Sequence, residues 1–265
     1  MLLYSHLKVT NKFKRFIVNS NTIIMSRIVI VEDNPKYRAA AESFFDYIHE
    51  SPVYAVDHAS AIQSLADPTD FAMIDCFFPK ETGSGDISLG REVVERMAQS
   101  DPREMLIREG LKSLEPYVNL NDPEMAKYAR FMAGNNHDSL IDVIRKMGET
   151  FQPVLMTHFV KNAMRGTYRE EQARDYYKAL NEAMEQSEAN QPLGIEVAEQ
   201  ATSLGVSLVL VTSTYHHDLL TQPVQDYVGR RGWRLIDCNP GRDEKATPEF
   251  WQKAYDALKG VGARF

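Results

Sequence analysis

The chain has 265 residues, 43% of them apolar and 25% charged, an ordinary balance for a globular protein with one large domain or two. Its 30 Lys and Arg against 37 Asp and Glu leave a net charge of −7, which excludes nucleic-acid binding through bulk positive charge. Two cysteines, Cys76 and Cys238, are too few for a disulfide scaffold and read as reduced thiols of a cytoplasmic protein, and no apolar run reaches the roughly 18–20 residues of a membrane helix.

Residues 1–25 carry Lys8, Lys12, Lys14 and Arg15 and no acid, so they hold +4 while the remainder holds −11. The order of basic and apolar residues is wrong for a signal peptide, and the stretch is expected to be a flexible N-terminal extension. Regular structure is expected from Arg27 onward. Ile28-Val29-Ile30-Val31 is a short, wholly apolar, β-branched run, the pattern of a strand buried on both faces of a parallel sheet, and it stops at Glu32-Asp33-Asn34-Pro35. A helix is predicted from Pro35 to Ile48, a second strand over Pro52–Val56, a short helix over Ser60–Leu65 and a third strand over Phe71–Ile74 that stops at Asp75.

A second block of this kind lies near the C-terminus. Gly194–Ser203 reads as a helix, Val206–Val211 as a buried strand ending at Thr212-Ser213, Leu219–Val228 as a helix, Gly232–Ile236 as a fifth strand and Pro248–Leu258 as an amphipathic helix. The alternation predicts an α/β fold with a doubly wound, five-stranded parallel sheet. Between the blocks the strand signal disappears. Asp101-Pro102 and Asp122-Pro123 each offer an N-cap followed by Pro at the first helical position, and Thr167–Glu170 matches a capping box ahead of a helix from Tyr168 to about Glu188. Residues 26–83 plus 193–265 are therefore expected to form one domain, and 84–192 an inserted α-helical subdomain.

These blocks resemble the receiver domain of bacterial response regulators, position by position. Glu32-Asp33 is similar to the family's acidic pair after strand 1, and Asp75 to its phosphoacceptor at the end of strand 3, with Pro79 and Gly83 at matching spacing. Thr212-Ser213 is similar to its Thr/Ser pair after strand 4, and Asn239-Pro240 stands where the family has Lys-Pro after strand 5. The resemblance covers about half the chain. It implies the strand order 2-1-3-4-5, for which a receiver protein is itself a standard example. It also implies a signalling receiver that takes a phosphoryl group on Asp75 with Mg²⁺ held by Glu32, Asp33, Asp75 and the Phe77 carbonyl, with Thr212 and Asn239 on the phosphoryl oxygens.

The chemistry is consistent with the residues themselves. Ligands of an open parallel sheet sit beyond the carboxyl ends of its strands, where Glu32, Asp33, Asp75, Thr212 and Asn239 all fall. Clustered carboxylates repel one another unless a cation intervenes or one is protonated, and hard oxygen donors suit Mg²⁺. The partners this implies are a histidine kinase or phosphotransfer protein as donor and a downstream protein, with no nucleic acid and no membrane.

Two positions depart from the family pattern. Asn239 carries no charge where the family has Lys, leaving Arg242 and Lys245 as nearby cations between which the sequence does not choose. Ile236 stands at the family's aromatic switch position. These departures keep a second reading open, a phosphorylation-independent interaction scaffold. His158-Phe159-Val160-Lys161-Asn162 faintly resembles the phosphotransfer box of histidine kinases, which would make an internal relay from His158 to Asp75. A Mg²⁺-dependent phosphatase would need a second carboxylate where Phe77 stands. His216-His217 completes no zinc motif. The aromatic and Met residues Phe131, Met132, Met147, Phe151, Met156, Phe159 and Met164 are read as a bundle core or a homodimer face.

Overall fold

The computed structural model describes residues 26–135, 137–169, 174–215, 218–239 and 241–262; the N-terminal extension, His216-His217 and Pro240 lie outside them. Five strands, β1 (Ile28–Val31), β2 (Val53–Ala55), β3 (Phe71–Asp75), β4 (Ser207–Val211) and β5 (Leu235–Ile236), form one all-parallel sheet of order β2-β1-β3-β4-β5. This is the order expected from the sequence.

Side chains alternate across the sheet with the period of two that a strand imposes. Val29, Val31, Ala72, Ile74, Leu208 and Leu210 enter one apolar layer, while Ile28, Ile30, Met73, Val209 and Val211 enter the other. The second layer is closed by α1 (Pro35–Tyr47) and α11 (Pro248–Gly262), which bring Phe44, Phe45, Phe250 and Trp251. The first is covered by α2 (His58–Ala66), α9 (Gly194–Ser203) and α10 (Thr221–Arg230). Helix starts follow local chemistry: the Asn34 side chain accepts from Lys36 N ahead of Pro35, and Asp57 and Ser60 form a capping box that starts α2 two residues earlier than predicted.

The segment between β3 and α9 is helical, as expected: α3 (Ser88–Gln99), α4 (Pro102–Leu114), α5 (Pro123–Gly134), α6 (Asp138–Gly148), α7 (Pro153–Met164) and α8 (Tyr176–Gln186). Asp101 and Asp122 cap α4 and α5 as their Asp-Pro signals predict. The predicted capping box at Thr167 runs into Glu170, which lies outside the described residues. Tyr168 and Arg169 are non-helical, Tyr168 stacking edge-on against Tyr128 and Phe131, and α8 begins at Tyr176, where Asp175 accepts from Lys178 N at 2.9 Å.

Two packing units exist within this segment. Leu114, Met125, Met132, Ile144, Met156 and Val160 form a core of their own. Val93, Val94 and Met97 of α3 and Tyr177, Leu180 and Met184 of α8 join the layer under the sheet instead. The core of the sheet domain thus continues past residues 84 and 192. The chain enters and leaves the segment side by side: Phe78 N donates to Gln191 O at 3.1 Å and Gly194 N to Cys76 O at 3.2 Å. Among the described residues no helix is long and apolar enough to cross a membrane.

Candidate functional site

The carboxyl ends of β1, β3 and β4 converge on a cleft of about 250 Å³, lined by Asp33, Tyr37, Asp75, Phe77, Ser213 and Thr214 among others, with Ala189 and Asn190 on its rim. Glu32 and Asp33 follow β1 directly, and Asp75 is the last residue of β3, so in-register parallel pairing brings the acids together. Their carboxylate oxygens lie within 4.8 Å of one another. Arg38 pins the backbone of the acidic pair by donating to the carbonyls of Glu32 (3.1 Å) and Asp33 (2.8 Å).

A buried lysine completes the group. Lys245 Nζ lies 2.7 Å from Glu32 Oε2 and 2.8 Å from Asp75 Oδ1, and it sits 5.2 Å from the centre of the Tyr37 ring. Lys245 is delivered by a short 3-10 turn, Glu244–Ala246, between β5 and α11, and Trp251 Nε1 fixes the turn by donating to Lys245 O at 3.0 Å. Asp75 Oδ1 also accepts from Cys76 N at 2.8 Å. Gly194 begins α9 where a Cβ would collide with Asp75 O, so the strand end and the helix start can approach only with glycine there.

The electrostatics follow from three acids near one buried ammonium at the base of the cleft. Burial pushes the Glu32 carboxyl up to about 8; Lys245 opposes this and Asp75 adds to it. Burial and Asp75 raise Asp33 to about 6, against the pull of Lys245. Burial raises Asp75 as well, with Lys245 opposing. Burial by itself would lower the Lys245 pKa, but Asp75 and Glu32 outweigh it and hold the ammonium above its ordinary value.

No family model, curated protein or solved structure matches this chain. The site therefore stands on its own geometry. Hard oxygen donors from Glu32, Asp33 and Asp75 are grouped at ligand spacing, two of them facing an open cleft, and one ammonium leaves the acids under-neutralised, a set that fits a small divalent cation.

The structure brings together Glu32, Asp33 and Asp75, with Phe77 on the cleft wall. Thr212 is buried beside the cleft, and its hydroxyl is 2.8 Å from that of Thr214. Asn239 is turned elsewhere. It is exposed, and its Nδ2 donates to Glu244 Oε1 at 2.7 Å while its backbone N donates to Glu244 Oε2, so it braces the turn that carries Lys245. Arg242 is exposed on the outer groove beside Tyr215 and Asp243. Of the two cations left open by the sequence, only Lys245 enters the acidic group.

His158 is exposed on α7, which packs on α5 and α6, and it is not among the residues lining the cleft. Cys76 and Cys238 are buried, and burial raises both thiols, as befits small core residues. Ile236 is buried in the layer with α1 and α11. Sequence reasoning gave no role to Thr214 or Tyr37, which line the cleft through their position after β4 and in the first turn of α1.

Proposed function

We propose that this chain is a signalling receiver of the two-component type, in which Asp75 accepts a phosphoryl group with Mg²⁺ bound to Glu32, Asp33 and Asp75. The observation that carries the reading is the contact of the Lys245 ammonium with Asp75 and Glu32. It supplies, from a different point in the chain, the cation that Asn239 lacks. A charged donor on a phosphoryl oxygen contributes about 1.5–3 kcal/mol against about 0.5–1.5 for a neutral one, so its presence decides whether the pocket can hold a phosphoryl group.

In this reading an Asp75 oxygen attacks phosphorus, a P–O bond forms, and the bond from phosphorus to the donor breaks with its electron pair leaving on the donor group. Lys245 offsets the charge of the transferring group and opposes the burial that raises the Asp75 carboxyl. A bound Mg²⁺ would neutralise further charge on the phosphoryl oxygens. The Phe77 carbonyl completes the proposed ligand set. The proposed partners are a histidine kinase or phosphotransfer protein as donor and a downstream protein. A homodimer through the helical segment is the further proposal, supported by Phe151, Val154, Leu155 and Phe159, which are exposed, whereas Phe131, Met132, Met156 and Met164 are core.

The test is incubation with acetyl phosphate and Mg²⁺ followed by intact-mass measurement. One added phosphoryl group, absent in Asp75→Asn and without Mg²⁺, is the expected result. No added mass under any condition overturns the reading. A phosphorylation-independent scaffold is the second reading, favoured by the burial of Ile236 in the core where an aromatic switch would stand. It predicts partner binding that is the same in the parent and in Asp75→Asn.

A further inference from the structure

A glycine loop holds a carboxylate beside the cleft. After β3 the chain passes Phe77 on the cleft wall and enters Thr82-Gly83-Ser84-Gly85, where the amides of Gly83 and Gly85 donate to the two oxygens of the Glu188 carboxylate. Gly83 and Gly85 have φ of +80° and +67°, the left-handed conformation that lets successive backbone N–H groups face one anion. Glu188 opens the 3-10 turn Glu188–Asn190. The two residues after it, Ala189 and Asn190, are on the rim of the cleft that holds Asp75.

This turn lies between two firm anchors. Met184 before it is in the layer under the sheet, and the buried Gln191 after it donates to Asp86 O at 3.1 Å and accepts from Gly90 N at 3.2 Å. None of the three residues between is buried. They are held by polar contacts, Glu188 on the loop and Asn190 Nδ2 on Ala183 O at 2.9 Å. A short span without buried apolar side chains opens at low free energy while the rest of the fold stays intact. Hydrogen bonds to a charge are the strong ones, so the Glu188 carboxylate is the main fastening of the span.

We propose that Glu188 is a positioning residue that latches residues 188–190 over the Asp75 cleft, so that small phosphodonors enter the closed cleft and bulkier ones enter only when the carboxylate leaves the Gly83 and Gly85 amides. The transfer itself is unaltered: an Asp75 oxygen bonds to phosphorus, and the donor's oxygen leaves with the electron pair. A protein donor would have to open the latch first. The inference rests on the receiver reading, and the test separates the two.

The full chain is incubated with Mg²⁺ and either acetyl phosphate or benzoyl phosphate, acyl phosphates of one chemistry and different bulk, and phosphoryl uptake is followed by intact mass. The parent should react faster with acetyl phosphate. In Glu188→Gln the ratio of benzoyl to acetyl rate should rise by about tenfold, the order expected for losing one charge-assisted hydrogen bond. Amide hydrogen exchange should quicken at 83–85 and 189–190. Gly85→Ala strains the loop at its left-handed φ while its Cβ meets nothing within 4 Å, and it should raise the ratio likewise. The double variant should add nothing further, because both changes break one contact. Equal rates in the parent, an unchanged ratio or unchanged exchange in Glu188→Gln, or additive effects in the double variant overturn the latch and leave the receiver reading standing. No uptake from acetyl phosphate in the parent overturns both. Should Gly85→Ala not fold, Gly83→Ala, which has the same room for a Cβ, takes its place under the same criterion.

Discussion

Lys245 and Glu32 meet at 2.7 Å with neither side chain exposed to solvent, joining the end of the first strand to the turn before the last helix. A pair so deeply buried is stable only as long as both partners are present, because either one alone is a charge stranded away from water.

Removing the ammonium should therefore be costly. Lys245→Met is expected to destabilise the fold by at most about 3–5 kcal/mol, the range for breaking a buried pair, because burial already raises the Glu32 carboxyl and lets it hold a proton. The same variant should lose Mg²⁺-dependent phosphoryl uptake. Urea unfolding of parent and variant checks the first point, and intact mass after acetyl phosphate the second. A loss below about 1 kcal/mol would mean that the pair is not closed in solution.

The raised carboxyls set a pH dependence. Glu32 moves from 4.5 to about 8 and Asp33 from 3.8 to about 6 on folding, so the folded chain holds more protons than the unfolded one between those values. Stability therefore falls as pH rises through this window. Lys245 stays charged throughout, since its stabilisation is lost only above its ordinary 10.5. Mg²⁺ should reverse the loss and displace protons from the acids, giving a larger rise in Tm at about pH 8 than at about pH 5. Equal rises at the two pH values contradict this account.

Asn239 is expected to matter through Lys245 alone. Asn239→Ala removes one exposed hydrogen bond to Glu244 and should cost about 1 kcal/mol or less. Phosphoryl uptake should persist. If uptake disappears while thermal unfolding is unchanged, Asn239 touches the phosphoryl group directly.

The packing units predict where the helical segment can be removed. Replacing 84–192 by a Gly/Ser linker strips Val93, Met97, Leu180 and Met184 from the layer under the sheet. Losing large core side chains costs about 2–5 kcal/mol each, against a total stability of about 5–15 kcal/mol. That chain should be unfolded by circular dichroism. Joining Asp101 to Asp175 by a Gly/Ser linker should leave a folded protein, because α3 and α8 stay in the layer under the sheet and Tyr177 OH donates to Asp101 Oδ2 at 2.8 Å across the gap. Folding of the shorter chain with cooperative melting is the result to look for.

The strands were legible in the sequence because burial on both faces of a parallel sheet leaves unbroken apolar runs, which a chain can hardly use for anything else. Ile28–Val31, Ala72–Ile74 and Leu208–Val211 show this, and the acids at their ends, Glu32, Asp33 and Asp75, followed from position alone. Helix starts were legible where an Asp-Pro pair satisfies free backbone groups locally, as at Asp101 and Asp122. The tertiary structure alone decided the cation. Asn239, Arg242 and Lys245 all lie in the loop and turn between β5 and α11, and no local pattern tells them apart. The choice depends on how the Glu244–Ala246 turn is braced by Glu244 on Asn239 and by Trp251 on Lys245 O, and on buried acids contributed by two distant strands. The placing of α3 and α8 under the sheet was likewise a matter of packing: their apolar faces read the same whether they cover a bundle or a sheet, and the fold sets them in the layer under the sheet.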